Sequence, residues 1–416
     1  MSIKTINLTS RTTFRNIYCR LTEQYGSVFN DDERRLLIDT VRNGSRRGAY
    51  GLDQFGHSRL LRNMVVASML CDQLGHDRDM LLAVMLYDIH TEGGLSLSDI
   101  ERDWNSDTAQ LVEGLQKVQA VYSKNAAAQS DNFRKLLLTF AKDIRVIIIM
   151  IVDRLVVMRA INHHPDDRAV RDIAFEASYL YAPLAHRLGL YAIKGEMEDL
   201  SLKYSNREMF TEIARKLNET KAKRDAYIAD FISPVKRQLE KAGLNFDIKG
   251  RTKSIYSIWN KMRKQHNDVS DIYDLFAIRV ILDVPREKEK AQCWLAYSIV
   301  TDMYQPNPAR MKDWISMPKS NGYESLHITV LGPEQKWVEV QIRTRRMDMV
   351  AEKGLAAHWR YKEGGAAEQS SLDDWMKNVR DILEAAESGP MELVKNLKMD
   401  LYKEVFVFTP KGDLYK

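Results

Sequence analysis

The chain has few cysteines, no long apolar run and little net charge, and each of these shortages excludes a class of protein. Only three of its 416 residues are cysteines, Cys19, Cys71 and Cys293, and their spacing fits neither a disulfide framework nor a metal site, which suits a reducing cytosol. The most apolar stretch, R-V-I-I-I-M-I-V-D-R-L from Arg145 to Leu155, is charged at both ends and too short to span a bilayer. No leader has the charged, apolar and cleavage-site order of a signal peptide. We therefore expect a cytoplasmic protein that has no membrane partner.

The net charge of +5 is modest for this length, so a general polyanion binder or a specific DNA-binding protein is not expected. A chain of this size is expected to form two or more domains with their own cores. The apolar stretch near Ile149 is interpreted as a buried helix, because its neighbours have helical patterns, although its β-branched residues would also suit a strand.

One basic run contains no carboxylate: K-G-R-T-K-S-I-Y-S-I-W-N-K-M-R-K, residues 249–264. If its second part is a helix, Lys253, Ser257 and Lys261 share one face. The opposite, apolar face would carry Ile255, Ile258, Trp259 and Met262. A strand-like segment follows, and Asp274, just before it, is a possible ligand of a divalent metal. The pattern indicates a nucleoside triphosphate site, and a solvated basic face is the alternative.

A second pattern alternates strictly in W-V-E-V-Q-I-R-T, residues 337–344. One face of this predicted strand is apolar, and the other carries Glu339, Gln341 and Arg343. A polar face often meets solvent, but a carboxylate, an amide and a guanidinium in one row also suit the floor of a site.

Six motifs occur in order in this half of the chain: K-G-R-x-K-S-I-Y-S-I, Y-D-L-x-A-I-R-V-I, R-x-K-D, M-P-K-x-N-x-Y-x-S-L-H, V-E-V-Q-I-R-T and A-A-H-W-x-Y-K-E-G. Upstream lie Y-A-P-L-A-H-R-L-G-L and I-K-G-E-M-E-D-L-S. Together they resemble the long RelA/SpoT family. The resemblance implies a helical HD-type domain followed by a mixed-sheet α/β, nucleotidyltransferase-like synthetase domain. Such enzymes transfer the β,γ-pyrophosphate of ATP to the 3′-hydroxyl of GTP or GDP, which gives (p)ppGpp.

The resemblance also implies a role for each matching residue. Asp274 and Glu339 would hold Mg²⁺, and Glu339 would deprotonate the acceptor hydroxyl. Arg251 and Arg279 would sandwich adenine. The residues implied as ligands of the ATP phosphates are Lys253, Ser257 and Lys261, with Lys312 near the transferred group.

On the acceptor side, the resemblance implies that Tyr323 stacks on guanine. The residues implied to line the rest of that pocket are Lys319, Asn321, His327 and Gln341. The loop around Lys312 reads R-x-K-D, a form that is usual in family members that both make and destroy the alarmone.

The N-terminal half resembles the family's HD hydrolase, in which histidines and aspartates hold Mn²⁺. Here Arg62 or Asn63 stands at the first histidine position, and the His-Asp pair has become Tyr87 and Asp88. The distal motif keeps Asp153. Because two imidazole ligands are missing, no Mn²⁺ site and no hydrolase activity are expected.

Two alternatives remain open. One is a bifunctional enzyme with a rearranged Mn²⁺ site that uses His57 or His90, although both could be surface or capping histidines. The other is a non-catalytic sensor of alarmone or GTP, against which the presence of both Asp274 and Glu339 argues.

The expected domain order is an HD-type domain (1–195), a helical connector (196–243), the synthetase domain (244–370), a helical linker (371–402) and the start of a further, TGS-type domain (403–416). Within it, strands are predicted at 245–249, 276–284, 327–331 and 337–343, a loop at 363–371 and helices at 293–304 and 372–387. The expected substrates are ATP and GTP or GDP, and the resemblance implies a ribosome partner through further C-terminal domains.

Overall fold

The N-terminal half is helical. The computed structural model describes residues 5–26, 28–74, 77–124, 143–265, 276–319, 322–353, 407–408 and 414–415. Its first helices are α1 (Arg11–Tyr25), α2 (Asp31–Arg46), α3 (Arg59–Leu74), α4 (Arg78–Glu92), α5 (Leu97–Asp103), α6 (Ser106–Lys124), α7 (Ile144–Ala160), α8 (Asp167–Glu176) and α9 (Ala182–Arg187). A π-helical turn, Ala177–Tyr181, leads into α9.

Helix α7 contains the apolar stretch and lies at the centre of this half. Its residues are buried on every face, which a helix surrounded by other helices allows. The interpretation as a helix is confirmed, and the strand alternative is wrong. Helix α4 is buried almost as completely, and its N-cap residue is Asp77, whose side chain accepts a hydrogen bond from the Met80 N–H.

Three further helices lead to the sheet: α10 (Tyr191–Ser205), α11 (Arg207–Glu219) and α12 (Lys221–Lys241). Helix α10 runs through residue 195, where the sequence pattern placed a domain boundary, and Met197 and Leu200 belong to the core of the N-terminal helices. We call α1 to α11 the helical half.

The C-terminal part is built on a mixed five-stranded sheet. Its strands are β1 (Phe246–Thr252), β2 (Phe276–Leu282), β3 (Lys312–Asp313), β4 (Leu326–Leu331) and β5 (Trp337–Thr344), in the order β1-β2-β5-β4-β3. Only the β2–β5 pair is parallel. The remaining helices are α13 (Ile255–Gln265), α14 (Glu289–Met303) and α15 (Arg345–Lys353), with 3₁₀ turns at Ile161–His163, Arg286–Lys288, Pro308–Arg310 and Pro333–Gln335.

The predicted strands are found with shifted ends. Strand β1 does not stop at Lys249, because Gly250, Arg251 and Thr252 continue the antiparallel ladder with β2. Strand β2 ends at Leu282, before Pro285, which cannot donate to a ladder. The helix predicted from Cys293 begins four residues earlier, at Glu289.

One face of the sheet packs on helices through apolar residues, and we call the opposite, polar face the free face. The alternate residues Val338, Val340 and Ile342 of β5 are fully buried and pack against α12 and α14. The opposite face therefore receives the polar residues of β5.

Helix α13, the basic helix, packs on the helical half. Its buried Ile255 and Ile258 form a small core with Leu202 of α10 and with Phe210 and Ile213 of α11. The predicted apolar face is confirmed, because Trp259 and Met262 join the same cluster.

The last described residues, Val407–Phe408 and Leu414–Tyr415, pair as two short antiparallel strands. The loop and helix predicted at 363–371 and 372–387 lie outside the described residues. Within the described ranges, no helix has both the length and the apolarity needed to cross a bilayer.

Candidate active site

The sheet register sets the candidate residues in two rows on the free face. One row crosses all five strands and consists of Lys249, Arg279, Gln341, His327 and Lys312. The adjacent row consists of Ala277, Glu339 and Thr329, and the backbone of Arg251 pairs with that of Ala277. Cross-strand partners point to the same side of a sheet, so residues scattered over some 90 positions share one surface. Lys249 was not predicted, since only the register reveals it.

Glu339 lies at the centre of this surface with about a fifth of its side chain exposed. Its Oε1 accepts a hydrogen bond from Gln341 Nε2 at 2.8 Å, and its Oε2 lies 3.4 Å from Lys253 Nζ. Burial raises the pKa of Glu339, but Lys253, the Gln341 amide and His327 outweigh burial and bring the pKa below its usual value. The carboxylate is therefore ionised at neutral pH and held in place on both oxygens.

His327 joins Glu339 to Tyr323. Its Nε2 is 2.8 Å from the Tyr323 hydroxyl, and its Nδ1 is 3.6 Å from Glu339 Oε1. Burial lowers the pKa of His327 to about 4, although Glu339 acts in the opposite direction. The imidazole is neutral at pH 7, so its contact with Glu339 is not an ion pair. If the Tyr323 O–H donates to Nε2, the ring hydrogen lies on Nδ1, on the Glu339 side.

The Tyr323 ring is buried, with 8% of the residue exposed. The ammonium of Lys319 lies 5.0 Å from the centre of the ring, and the edge of Tyr191 meets it with centroids 5.5 Å apart and planes at 75°. Burial lowers the pKa of Lys319, and Lys312 lowers it further. A base that stacks on Tyr323 would have to displace Lys319 or Tyr191.

Helix α15 supplies two carboxylates that sequence reasoning missed, Asp348 and Glu352. Glu352 Oε1 accepts a 2.8 Å hydrogen bond from Arg279 Nη1, and Asp348 Oδ1 lies 2.5 Å from Nη2 of the fully buried Arg343. The spacing i, i+4 after a strand that carries Arg343 is the signal that could have indicated them. These carboxylates position Arg279, which is 9% exposed, on the inner strand β2.

Of the residues predicted at and near α13 to bind the ATP phosphates, the structure shows a contact with Glu339 for Lys253. Lys253, just before the helix, reaches Glu339, and Ser257 Oγ is 2.7 Å from Ser254 Oγ. Lys261 is half-buried on the same helix, and Lys312 is exposed on the edge strand β3. Asp274 and Asn321 lie outside the described residues, as does the side chain of Arg251.

In the helical half, arginine occupies the surroundings of the expected metal ligands. Arg62 makes two 2.6 Å hydrogen bonds to Asp153, from Nε to Oδ1 and from Nη2 to Oδ2. Its Nη1 also lies 3.5 Å from Asp53 Oδ2. A delocalised guanidinium thus pairs with both oxygens of the carboxylate that the sequence predicted as a vestigial metal ligand.

The second aspartate has equally defined neighbours. Asp88 is buried and accepts a 2.6 Å hydrogen bond from the Asn63 amide. Arg59, which was not predicted, lies 3.5 Å from Asp88 and makes a bidentate pair with Glu92. Both residues proposed for the first histidine position, Arg62 and Asn63, therefore face the site. Burial raises the pKa of the adjacent Tyr87 to about 12, so its phenol is neutral.

The two histidines proposed as substitute ligands have structural contacts instead. His90 Nδ1 lies 2.8 Å from the Leu95 carbonyl oxygen, in the segment that follows α4. His57 Nδ1 lies 3.7 Å from Asp53 Oδ2. Across the described ranges, no group of three or more His, Cys, Asp or Glu side chains has a metal-binding arrangement. The described donor set does not fit a Mn²⁺ site.

Known proteins agree with this two-part architecture. Residues 250–366 match the region found in RelA / SpoT proteins, and residues 47–191 match an HD domain. A probable guanosine-3′,5′-bis(diphosphate) 3′-pyrophosphohydrolase of Synechocystis is 37% identical over 86% of this chain and 47% of its own length. A GTP pyrophosphokinase of Myxococcus xanthus is 38% identical over 87% of this chain and 48% of its own.

A third relative, the bifunctional (p)ppGpp synthase/hydrolase SpoT of Escherichia coli, is 36% identical over 86% of this chain and 50% of its own length. The chain thus spans about half the length of the curated relatives it matches. It belongs to the RelA/SpoT family and combines a helical HD domain with a mixed-sheet α/β domain of the synthetase type.

Proposed function

We propose that this chain is a (p)ppGpp synthetase that transfers pyrophosphate from ATP to the 3′-hydroxyl of GTP or GDP. The observation that carries the proposal is Glu339, an ionised carboxylate held between Lys253 and Gln341 and linked through His327 to Tyr323. Relatives named GTP pyrophosphokinase support the same reaction. The proposed setting is the cytoplasm, where both nucleotides are present.

In the proposed reaction, Glu339 accepts the proton of the acceptor 3′-hydroxyl. The resulting oxygen bonds to the β-phosphorus of ATP, the bond between that phosphorus and the α,β-bridging oxygen breaks, and AMP leaves. A ribose hydroxyl is a poor nucleophile, which is why a base is needed. Tyr323 would stack on guanine and place the hydroxyl, once Lys319 or Tyr191 has moved off the ring.

Lys253 is proposed to change partner during the cycle. In the structure its ammonium attracts the Glu339 carboxylate and keeps the pKa of Glu339 low, which makes the carboxylate a weak base. ATP phosphates would compete for Lys253, together with Ser257 and Lys261 on the same side of α13. Loss of the Lys253 contact alone would raise the pKa of Glu339, and a bound Mg²⁺ would act in the opposite direction.

Mg²⁺ would be held by Glu339 and Asp274, since carboxylate oxygens are the ligands that it prefers. The ion supplies positive charge against the triphosphate when it is bound. Arg279 on β2, supported by Glu352, would contact adenine together with Arg251 on the neighbouring edge strand β1.

We further propose that the helical half does not hydrolyse the alarmone. The Arg62–Asp153 pair supports this, because a bidentate guanidinium takes up both oxygens of a carboxylate that a Mn²⁺ site would need. The R-x-K-D loop and the relatives named as hydrolases favour the bifunctional alternative. A loop correlation supplies no metal ligand, so we favour a synthetase alone.

Incubation of the protein with ATP, GTP and Mg²⁺, followed by anion-exchange separation of the nucleotides, tests the proposal. Wild-type protein is expected to form pppGpp and AMP in equal amounts. Glu339→Gln keeps the shape of the side chain and removes the base, so the rate should fall by ~10²–10⁴-fold. Glu334→Gln, at an exposed carboxylate in the β4–β5 turn, is the matched control.

A Glu339→Gln rate above about a tenth of wild type would show that Glu339 is not the base. Binding of both nucleotides without any product would instead favour the sensor. Release of pyrophosphate from ppGpp in a parallel Mn²⁺ assay would establish the bifunctional enzyme.

A further inference from the structure

A buried aspartate of the helical half contacts the start of the basic helix. Asp199, in the middle of α10, is 3% exposed, and its Oδ1 accepts a 2.8 Å hydrogen bond from the Tyr256 N–H. Tyr256 is the second residue of α13, and the first N–H groups of a helix have no partner within the helix. A carboxylate from another part of the chain therefore satisfies one of them.

The other contacts at this helix start are local. Ser254 Oγ accepts the Ser257 N–H at 3.3 Å, and the Ser254 carbonyl accepts the Ile258 N–H. Asp199 thus adds a long-range anchor to a local cap, at the end of the helix where a negative charge is most favourable. Leu202 of α10 and Ile258 of α13 belong to the same small core, which fixes these two helices against each other.

This anchor is close to the proposed chemistry. Only Lys253 and Ser254 separate strand β1 from α13, and Lys253 lies 3.4 Å from Glu339. If the first turn of α13 moved, Lys253 and Ser257 would move with it relative to the sheet. Small displacements of this kind cost up to ~10²-fold in rate when they misplace a reacting group.

We propose that Asp199 is a positioning residue of the ATP side of the site, which fixes the first turn of α13 and through it Lys253 and Ser257. The inference rests on the proposed function. It also implies that the tip of α13 is not a phosphate site, because Asp199 already occupies the Tyr256 N–H. The phosphates would bind on the lateral face that carries Lys253, Ser257 and Lys261.

Two variants of Asp199 and one control distinguish a residue that positions the ATP side of the site from one that only stabilises the fold. Asp199→Ala removes the acceptor, whereas Asp199→Asn keeps one acceptor oxygen of the same shape. Ser201→Ala is the matched control, because Ser201 is buried on the same helix and its hydroxyl has no hydrogen-bond partner among the described residues.

The first measurement is hydrogen exchange and does not depend on activity. Asp199→Ala should increase exchange of the Tyr256 amide about tenfold, while Ser201→Ala leaves it unchanged. Unchanged exchange in Asp199→Ala would refute the anchor itself.

The second measurement is steady-state kinetics with each substrate varied. Asp199→Ala should raise KM for ATP ~10-fold or more and leave KM for GTP within about twofold, and Asp199→Asn should stay within about threefold of wild type. A general collapse of α10 would also move Tyr191, the first residue of this helix. Tyr191 contacts Tyr323, so the proposed GTP pocket would be disturbed as well. Equal losses for both substrates, or losses that Asp199→Asn does not rescue, would reduce Asp199 to a structural support.

The two proposals can fail separately. If wild-type protein forms no pppGpp, the proposed function is wrong, and calorimetric binding of a non-hydrolysable ATP analogue with Mg²⁺ then tests the positioning. Binding of the analogue by Asp199→Ala as tightly as by wild type, or no binding by either, would overturn the role of Asp199.

Discussion

Replacing Arg62 by methionine should destabilise the helical half, because the guanidinium holds together groups that would otherwise need a cation. The side chains of Arg62 and Asp153 are 25% and 28% exposed, and two 2.6 Å hydrogen bonds join them. The variant leaves Asp153 charged and unpaired beside the hydrophobic core. It also removes the contact to Asp53, which accepts the backbone N–H groups of Phe55 and His57.

The expected loss follows from this exposure. Removing one partner of a fully buried pair costs ~3–5 kcal/mol, and an exposed pair contributes ~0–1 kcal/mol. About a quarter of each side chain meets solvent here, so Asp153 can be partly rehydrated in the variant. We expect the free energy of unfolding to fall by about 2–3 kcal/mol, which corresponds to a fall in Tm of ~4–12 °C.

Urea denaturation followed by circular dichroism, with calorimetry for Tm, measures this loss. Arg35→Met is the matched control, because the Arg35–Asp32 pair is 78% and 95% exposed and should change stability by less than ~0.5 kcal/mol. Arg62→Met combined with Asp153→Asn should recover part of the loss, since the unpaired charge is then absent. If Arg62→Met is as harmless as Arg35→Met, the arginine does not take the structural place of a metal.

Three further predictions concern the two sites. Tyr323→Ala should weaken GTP binding by ~1–3 kcal/mol and ATP binding much less, as measured by the apparent affinities. Equal effects on the two nucleotides would show that the ring serves only packing. The protein should release no pyrophosphate from ppGpp after dialysis against Mn²⁺. If one Mn²⁺ is bound per chain and ppGpp is hydrolysed, the proposal that Arg62 replaces the metal is contradicted. His327 should show no NMR titration between pH 6 and pH 8, because its pKa of about 4 lies below the unfolded value of ~6.5, and a midpoint above pH 6 would refute this. Since that folded pKa is depressed, the stability that neutral His327 contributes should be present above about pH 6.5 and be lost as the pH falls toward 4.

Short-range periodicity predicted the elements that carry the site. The spacing of Ile255 and Ile258 identified the buried face of α13, and the alternation around Glu339 identified β5 and its polar face. Both patterns are local, and each requires only that one side of an element be buried. The polar face of β5 is not a solvated surface, since Gln341 and Arg343 are buried.

Long-range pairing could not be predicted in the same way. Nothing in the sequence places Lys249 in one row with Lys312, because that depends on the register of five strands. The pairing of Arg279 with Glu352 and of Asp199 with Tyr256 depends on how separate elements pack. The helical half could be recognised as degenerate from its missing histidines, but the contact between Arg62 and Asp153 required the fold.

The packing of α13 on the helical half also determines where this protein can be divided. The sequence suggests a cut in the charged stretch around residue 243. Such a cut would remove the residues that cover Ile255 and Ile258, which are Leu202, Phe210 and Ile213. A fragment that begins there would expose that apolar face to water and invite self-association through it. The smallest piece that keeps the basic helix covered must include α10 and α11, so the border that the sequence suggests near residue 243 lies inside a packed unit.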